Sequence, residues 1–212
     1  LDKNDESKNT IIVFLGDNGG VATSQEWREG PLYTQNSPLK CGKGSMYEGG
    51  VRVPFMVKWN GVVKPDTRNN TSIMIEDLFP TLLNMAQVND YKVPQIVDGK
   101  DMVPLLEGKN EAEFNKRSII WNFPNIWGNT GPGINLNCAI RQGDWKLIYN
   151  YETGEKELYN IPQDIGENNN LAHANPSKVK ELSSILGKKL RQMNAQRPIV
   201  TATSKPCAWP DE

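Results

Sequence analysis

Two glycine-studded segments hold the residues best suited to do chemistry. In the first, IIVFLGDNGG at residues 11–20, an apolar run stops on an aspartate, an asparagine and two glycines. An unbroken run such as Ile11 to Leu15 predicts a strand buried on both faces of a sheet. Asp17 and Asn18 would then project their oxygens just beyond the carboxyl end of that strand, where open α/β sheets hold their ligands. The competing reading is a turn, because Asn18-Gly19 is a strong hairpin signal and an aspartate such as Asp17 can close an Asx-turn on its own backbone. The second segment is LKCGKGSMYEGGVRVP, residues 39–54. Lys43 lies between Gly42 and Gly44, so no neighbouring side chain shields its ammonium and the backbone can approach a ligand closely. That suits an anion. It is not a phosphate-cradling P-loop, which would need a glycine where Ser37 stands. Against the anion site stands a solvated lysine in a loop.

The elements that must position these residues follow from the apolar pattern. After the first strand comes a long irregular stretch, Val21 to Arg52, of the kind that is often functional in a compact domain. Val53 to Trp59 predicts a second strand, with Pro54 near its start and a turn at Asn60-Gly61. Ser72 to Gln87 has helical spacing, with Pro80 kinking or dividing it. Asp101 to Leu106 is a short apolar stop, and Arg117 to Phe123 restarts as a strand. From there the texture is of hairpins. Ala139 to Arg141, Trp145 to Tyr149 and Glu157 to Asn160 are strand signals separated by turns at Gly143-Asp144 and Glu152 to Glu155, which predicts a small antiparallel sheet. Asn175-Pro176 then opens a helix to about Met193, with Val179, Leu182, Ile185, Leu186 and Leu190 on one face. The tail after Arg197 is predicted to be extended.

The bulk numbers exclude several classes. With 24 Lys plus Arg against 25 Asp plus Glu, the net charge of -1 provides no general field for nucleic acid or an anionic membrane. No apolar run approaches the ~20 residues of a membrane helix, and LDKNDESKNT is polar where a signal peptide is apolar. The three cysteines, Cys41, Cys138 and Cys207, have no CxxC spacing, so neither a disulfide framework nor a zinc site is indicated. Asn69-Asn70-Thr71-Ser72 holds two overlapping glycosylation sequons, which bear only on a secreted eukaryotic protein.

In order and separation, FLGDNGG, LKCGKGSMYEGGVRVPFMVKW, DLFPTLLNMAQV and AIRQGDWKLIYNYETGEKELYNIPQDIGENNNLA resemble the C-terminal half of a type I sulfatase, of the arylsulfatase group in the alkaline-phosphatase-like superfamily. The resemblance covers nearly the whole chain. It implies an α/β fold: residues 1–112 as the C-terminal part of the catalytic domain, and residues 113–212 as a small antiparallel sheet packed with a C-terminal helix and an extended tail. It implies sulfuric ester hydrolysis, with Asp17 and Asn18 as ligands of a calcium ion. Calcium does take hard carboxylate and amide oxygens. It places on Lys43 the lysine that binds a sulfate oxygen, where a fixed ammonium stabilises charge on the transferred sulfuryl group. Arg52 is expected to hold its loop rather than touch substrate.

The family's nucleophile, a formylglycine made from cysteine in a Cys-x-Pro/Ala-x-Arg motif, has no counterpart here, because none of the cysteines has that context. The lone histidine, His173, is read as a surface residue. Hence the nucleophile, the remaining metal ligands and the active-site histidines are expected from the N-terminal half of the same enzyme, and this chain by itself is expected to be inactive. LDKNDESKNT resembles the end of a helix preceding the DNG strand. The substrate is expected to be a sulfated small molecule or carbohydrate, and export to a periplasm, lysosome or exterior is suggested by the resemblance alone. The rivals are a phosphonate or phosphodiester hydrolase of the same superfamily, told apart by its nucleophile motif, and a non-catalytic binding module. Retention of Asp17, Asn18 and Lys43 together argues against the second.

Overall fold

The computed structural model describes residues 1–22, 36–88, 90–109, 112–127 and 131–212. Contacts group the chain into two compact units: Leu1–Asp17 with Pro54–Arg117, and Asn18–Val53 with Ser118–Glu212.

In the first unit, the N-terminal residues form two short 3₁₀ turns, Asp2–Asn4 and Ser7–Asn9. Strand β1 (Ile12–Leu15) follows. The chain then contributes residues 18–53 to the second unit, ending in a single helical turn, α1 (Glu48–Val51), and resumes the first unit as β2 (Phe55–Lys58). β1 and β2 pair antiparallel, with Ile12 opposite Lys58 and Leu15 opposite Phe55. The strand is not buried on both faces as its composition predicts. Ile12 and Phe14 are 40% and 55% exposed and Met56 is 59% exposed, whereas Val13 and Leu15 on the other face are half-buried. A two-stranded ribbon has only one face to bury, so period-two exposure wins over the apolar run. Nor does Asn18-Gly19 make a hairpin, since the partner of β1 comes some forty residues later.

The predicted helix over 72–87 divides into a 3₁₀ turn (Ile75–Asp77) and α2 (Leu78–Met85). Pro80 sits in the first turn of α2, where its missing N–H has no intrahelical partner to lose, so the proline starts the helix instead of bending it. Fully buried Asp77 organises this corner. Its carboxylate accepts the N–H groups of Met74 and Lys100 at 2.7 and 2.8 Å and a two-pronged contact from Arg117 at 2.7 and 2.6 Å. Next come α3 (Val103–Leu106), formed by the apolar stop, and α4 (Ala112–Lys116). Met102, Leu105 and Phe114 form the small core, with Phe55, Ile73 and Leu78 against it.

The second unit is built on the predicted antiparallel sheet. Its strands β3 (Ser118–Phe123), β4 (Asn137–Gln142), β5 (Trp145–Asn150) and β6 (Lys156–Asn160) lie in sequence order, all antiparallel. Both faces are covered. On one, α5 (Pro176–Gln192) lays Leu182, Leu186 and Leu190 against Cys138, Ile140, Leu147, Tyr149 and Leu158, each buried leucine contributing about 2 kcal/mol. On the other, Ala139, Ile148 and Tyr159 receive Met46 and Tyr47 from the glycine-rich segment. The tail is not simply extended. β7 (Ile199–Val200) and β8 (Lys205–Pro206) pair as a short hairpin, and Trp209, 8% exposed, joins the α5 core under the Arg197 guanidinium, 4.1 Å from its ring centroid.

Candidate anion and cation site

β1 delivers the first segment. The ladder extends one step past the strand, where Gly16 N–H donates to Pro54 O at 3.1 Å, and the chain then bends through Asp17 and Asn18. Asp17 is exposed and ends the first unit's N-terminal stretch; Asn18, half-buried, opens the second unit. The Asn18 amide nitrogen donates to Gly19 O at 3.0 Å.

Within the second unit the two glycine-rich segments lie against each other. Gly19 N–H donates to Gly50 O, and Lys43 N–H to Gly20 O, each at 3.0 Å. The approach is so close that a Cβ on Gly19 would lie 1.7 Å from the carbonyl oxygen of Gly49, which is why glycine stands there. Gly44, with φ of +91°, supplies the left-handed turn directly after Lys43. Asn36 clasps both segments: its side-chain oxygen accepts Gly20 N–H at 3.1 Å, and its amide nitrogen donates to Gly20 O at 3.0 Å and Cys41 O at 2.9 Å. Nothing in the sequence singled out Asn36. Residues 23–35, part of the stretch expected to be functional, lie outside the described residues.

Lys43 is half-buried. Lys40, three residues earlier, is placed very differently. Its ammonium lies 4.3 Å from the Tyr47 ring centroid and donates to Tyr159 Oη at 3.3 Å and Glu167 O at 3.0 Å. Tyr47 and Tyr159 both donate to the Glu157 carboxylate. Burial, then that carboxylate, pushes both phenols well above their usual range, so they act as fixed donors. This cluster is structural support beside the candidate site.

Behind α1 lies a group of buried charges. Glu48 meets Lys146 at 3.0 Å, Arg52 at 3.2 Å and Arg141 at 3.4 Å, and Lys146 also lies 2.9 Å from Glu167. Arg52, its side chain exposed, thus pairs with the first residue of α1. Burial by itself would raise the Glu48 carboxyl, but the Lys146 ammonium and the two guanidiniums hold it below the usual carboxylate range. At Glu167 burial outweighs Lys146 and the carboxyl is pushed up. Sequence reading missed Glu48, Lys146 and Glu167; the one signal was a charged residue in an otherwise apolar strand, Lys146 in WKLIY.

The cysteines carry no sign of a nucleophile. Cys138 is fully buried and burial pushes its thiol up to about 12; Cys207 is also buried, and Cys41 is half-buried with its thiol raised by burial against the pull of Lys40. His173 is exposed. Among the described residues no group of three or more His, Cys, Asp or Glu could hold a metal, and no helix is long and apolar enough to cross a membrane. Asp17 and Asn18 carry hard oxygens of the type calcium takes.

Comparison with known proteins identifies the family and the fold. Residues 41–196 match the family described as N-sulphoglucosamine sulphohydrolase, C-terminal. A sulfatase of Formosa agariphila is 36% identical over 194 residues, spanning 87% of this chain and 33% of that protein. An N-acetylgalactosamine-6-O-sulfatase of Bacteroides thetaiotaomicron is 29% identical, spanning 88% of this chain and 37% of its own length. Among solved structures, Ps i-CgsB in complex with k-i-k-neocarrahexaose superposes with a TM-score of 0.71 at 27% identity, over 93% of this chain and 40% of that one. BT4656 in complex with its substrate D-glucosamine-2-N,6-O-disulfate superposes with a TM-score of 0.69 at 26% identity, over 92% and 36%. The chain therefore spans about a third of the length of the curated relatives it matches. Its fold is the C-terminal portion of the alkaline-phosphatase-like sulfatase fold, and by sequence and structure alike the chain belongs to the sulfatases, its residues 41–196 to the family described as N-sulphoglucosamine sulphohydrolase, C-terminal.

Proposed function

We propose that this chain is the C-terminal part of an enzyme that hydrolyses sulfate esters, and that its share of the site is Asp17, Asn18 and Lys43. The observation that carries the reading is the backbone union of the Asn18 and Lys43 segments through Gly19, Gly20 and Gly50, which brings a hard-oxygen donor and a cation into one glycine-lined neighbourhood. In this reading Asp17 and Asn18 hold part of a calcium ion's oxygen shell, and the ion when bound supplies positive charge for a sulfate oxygen. The Lys43 ammonium pairs with a sulfate oxygen and stabilises the charge that grows there as the ester bond breaks. The nucleophile, a formylglycine in this family, is contributed from outside the chain. Sulfated carbohydrate is the substrate class favoured, supported by relatives named for amino-sugar sulfates and by similar structures that hold D-glucosamine-2-N,6-O-disulfate and k-i-k-neocarrahexaose; aryl sulfate is the alternative, since other relatives are named arylsulfatase H and steryl-sulfatase.

The same reading assigns residues 1–112 to the catalytic domain and 113–212 to the C-terminal subdomain. It also assigns the exposed apolar face of Ile12, Phe14 and Met56 to contact with the N-terminal half of the enzyme. The test is Asp17→Ala and Asn18→Ala in the full-length protein, with circular dichroism to verify folding. Calcium-dependent hydrolysis is expected to be abolished while the fold persists. Full activity with normal metal content in Asp17→Ala would sink the assignment.

A further inference from the structure

Arg141 on β4 and Lys146 on β5 stand directly opposite each other in register, on the face of the sheet that receives Met46 and Tyr47. Like charges in that relation repel. A single side chain from α1 answers both: Glu48 Oε1 lies 3.0 Å from Lys146 Nζ, and Oε2 lies 3.4 Å from Arg141 and 3.2 Å from Arg52. Glu167, from the loop after β6, completes the group. Its Oε1 meets Lys146 at 2.9 Å and its Oε2 accepts the backbone N–H of Glu48 at 2.7 Å. Glu48, Lys146 and Glu167 are 1%, 0% and 0% exposed.

A buried ionic group of this kind is often no more stable than well-packed apolar side chains, so what it contributes is a defined geometry. The geometry it defines is that of α1, a turn of four residues, two of them glycine, with little intrinsic tendency to be helical. α1 in turn carries the loops: Gly50 O accepts Gly19 N–H at 3.0 Å, and Gly49 N–H donates to Lys40 O at 2.9 Å, three residues before Lys43. We propose that Lys146 and Glu167 are positioning residues for the anion site: through Glu48 they hold α1, and α1 holds the Asn18 and Lys43 loops in register. The proposal rests on the sulfate-ester reading above. Neither residue touches substrate.

The experiment compares Lys146→Met, Glu167→Ala and Glu167→Gln in the full-length protein with Lys43→Ala and with Leu186→Ala, a core truncation beneath α5 remote from the charge group. Four quantities are measured: kcat, KM for a sulfate ester, inhibition by inorganic sulfate, and thermal unfolding. Loss of a residue that orients a ligand typically costs ~10-fold or more, so Lys146→Met and Glu167→Ala should lower kcat/KM and weaken sulfate inhibition by about that factor. Glu167→Gln keeps an oxygen to accept the Glu48 N–H and should recover most of the loss. Leu186→Ala should lower the melting temperature at least as far while leaving both catalytic readouts alone. The proposal is overturned if Lys146→Met and Glu167→Ala move only the melting temperature, or if Leu186→Ala costs as much catalysis as they do. Should Lys146→Met not fold, the contrast of Glu167→Ala with Glu167→Gln decides alone, and equal activity in those two overturns it. A normal Lys43→Ala defect beside inert cluster variants removes the positioning role only. Indifference of turnover and sulfate inhibition to Lys43→Ala removes the anion-site reading itself.

Discussion

At the scale of the residue, the two lysines of LKCGKG sit in different surroundings although they share charge and loop. Lys40 is tied to Tyr47, Tyr159 and Glu167 O, and it serves the packing of the second unit. Lys43, its backbone N–H bonded to Gly20 O and glycines on either side, is the one we propose meets the anion. Lys43→Ala in the full-length protein is therefore expected to lower turnover of a sulfate ester by ~10²-fold or more, the scale of losing one preorganised stabiliser of transition-state charge. Lys40→Ala should cost turnover far less and show itself in thermal unfolding. Steady-state kinetics and a melt on both variants decide it, and equal behaviour would mean the wrong lysine has been assigned. Lys43 was singled out because flanking glycines are a local signal. Asn36 was not, because its role consists of bonds to Gly20 and Cys41 that only the folded chain brings within reach.

At the scale of the element, α5 and the hairpins follow their local patterns, and α1 does not. α5 has an N-terminal proline, an apolar stripe and lysines elsewhere, and its observed span, Pro176–Gln192, falls within a residue of the predicted one. α1 was read as loop, reasonably, since Glu-Gly-Gly-Val has no helical preference, and it is helical because buried charges and the Gly19 loop hold it there. This makes Gly19 a sensitive point. Gly19→Ala should lose sulfate-ester turnover and lower the melting temperature sharply, since its Cβ meets the backbone of Gly49, which cannot yield without moving α1. Gly61→Ala is the contrasting control: its φ is +78° but nothing lies within 4 Å of the added carbon, so only the backbone strain of about 1–2 kcal/mol is expected, with turnover retained. Comparable loss of turnover in both would show that the α1 contact is not what makes Gly19 sensitive.

At the scale of the whole chain, the 212 residues by themselves are expected to show no sulfate-ester hydrolysis, even with calcium in excess. Asp17 and Asn18 are two donors where calcium takes about six to eight oxygens, and Cys138 and Cys207 are buried thiols without the context of a formylglycine precursor. Solubility should also be poor, because the β1/β2 ribbon exposes Ile12, Phe14 and Met56 together on one face. Phe14→Lys with Met56→Glu should raise the soluble fraction of the isolated chain. The assay is aryl sulfate turnover on purified residues 1–212 after mass and folding are checked; turnover abolished by a chelator would show that a complete site lies within this sequence.

Local order was determined by sequence alone: the strand before Asp17-Asn18, the glycines flanking Lys43, three hairpin strands at their observed positions and the amphipathic helix that covers them. Each is governed by periodicity, turn chemistry or capping, which act over a few residues. Tertiary structure decided what depends on distant partners. It left one face of an all-apolar strand exposed, turned Glu48–Val51 into a helical turn, and drew Trp209 of the tail into a core. Above all, it brought Glu48, Lys146 and Glu167 together across about a hundred residues of chain, because a charge buried there has to be paired and its partners lie on distant segments.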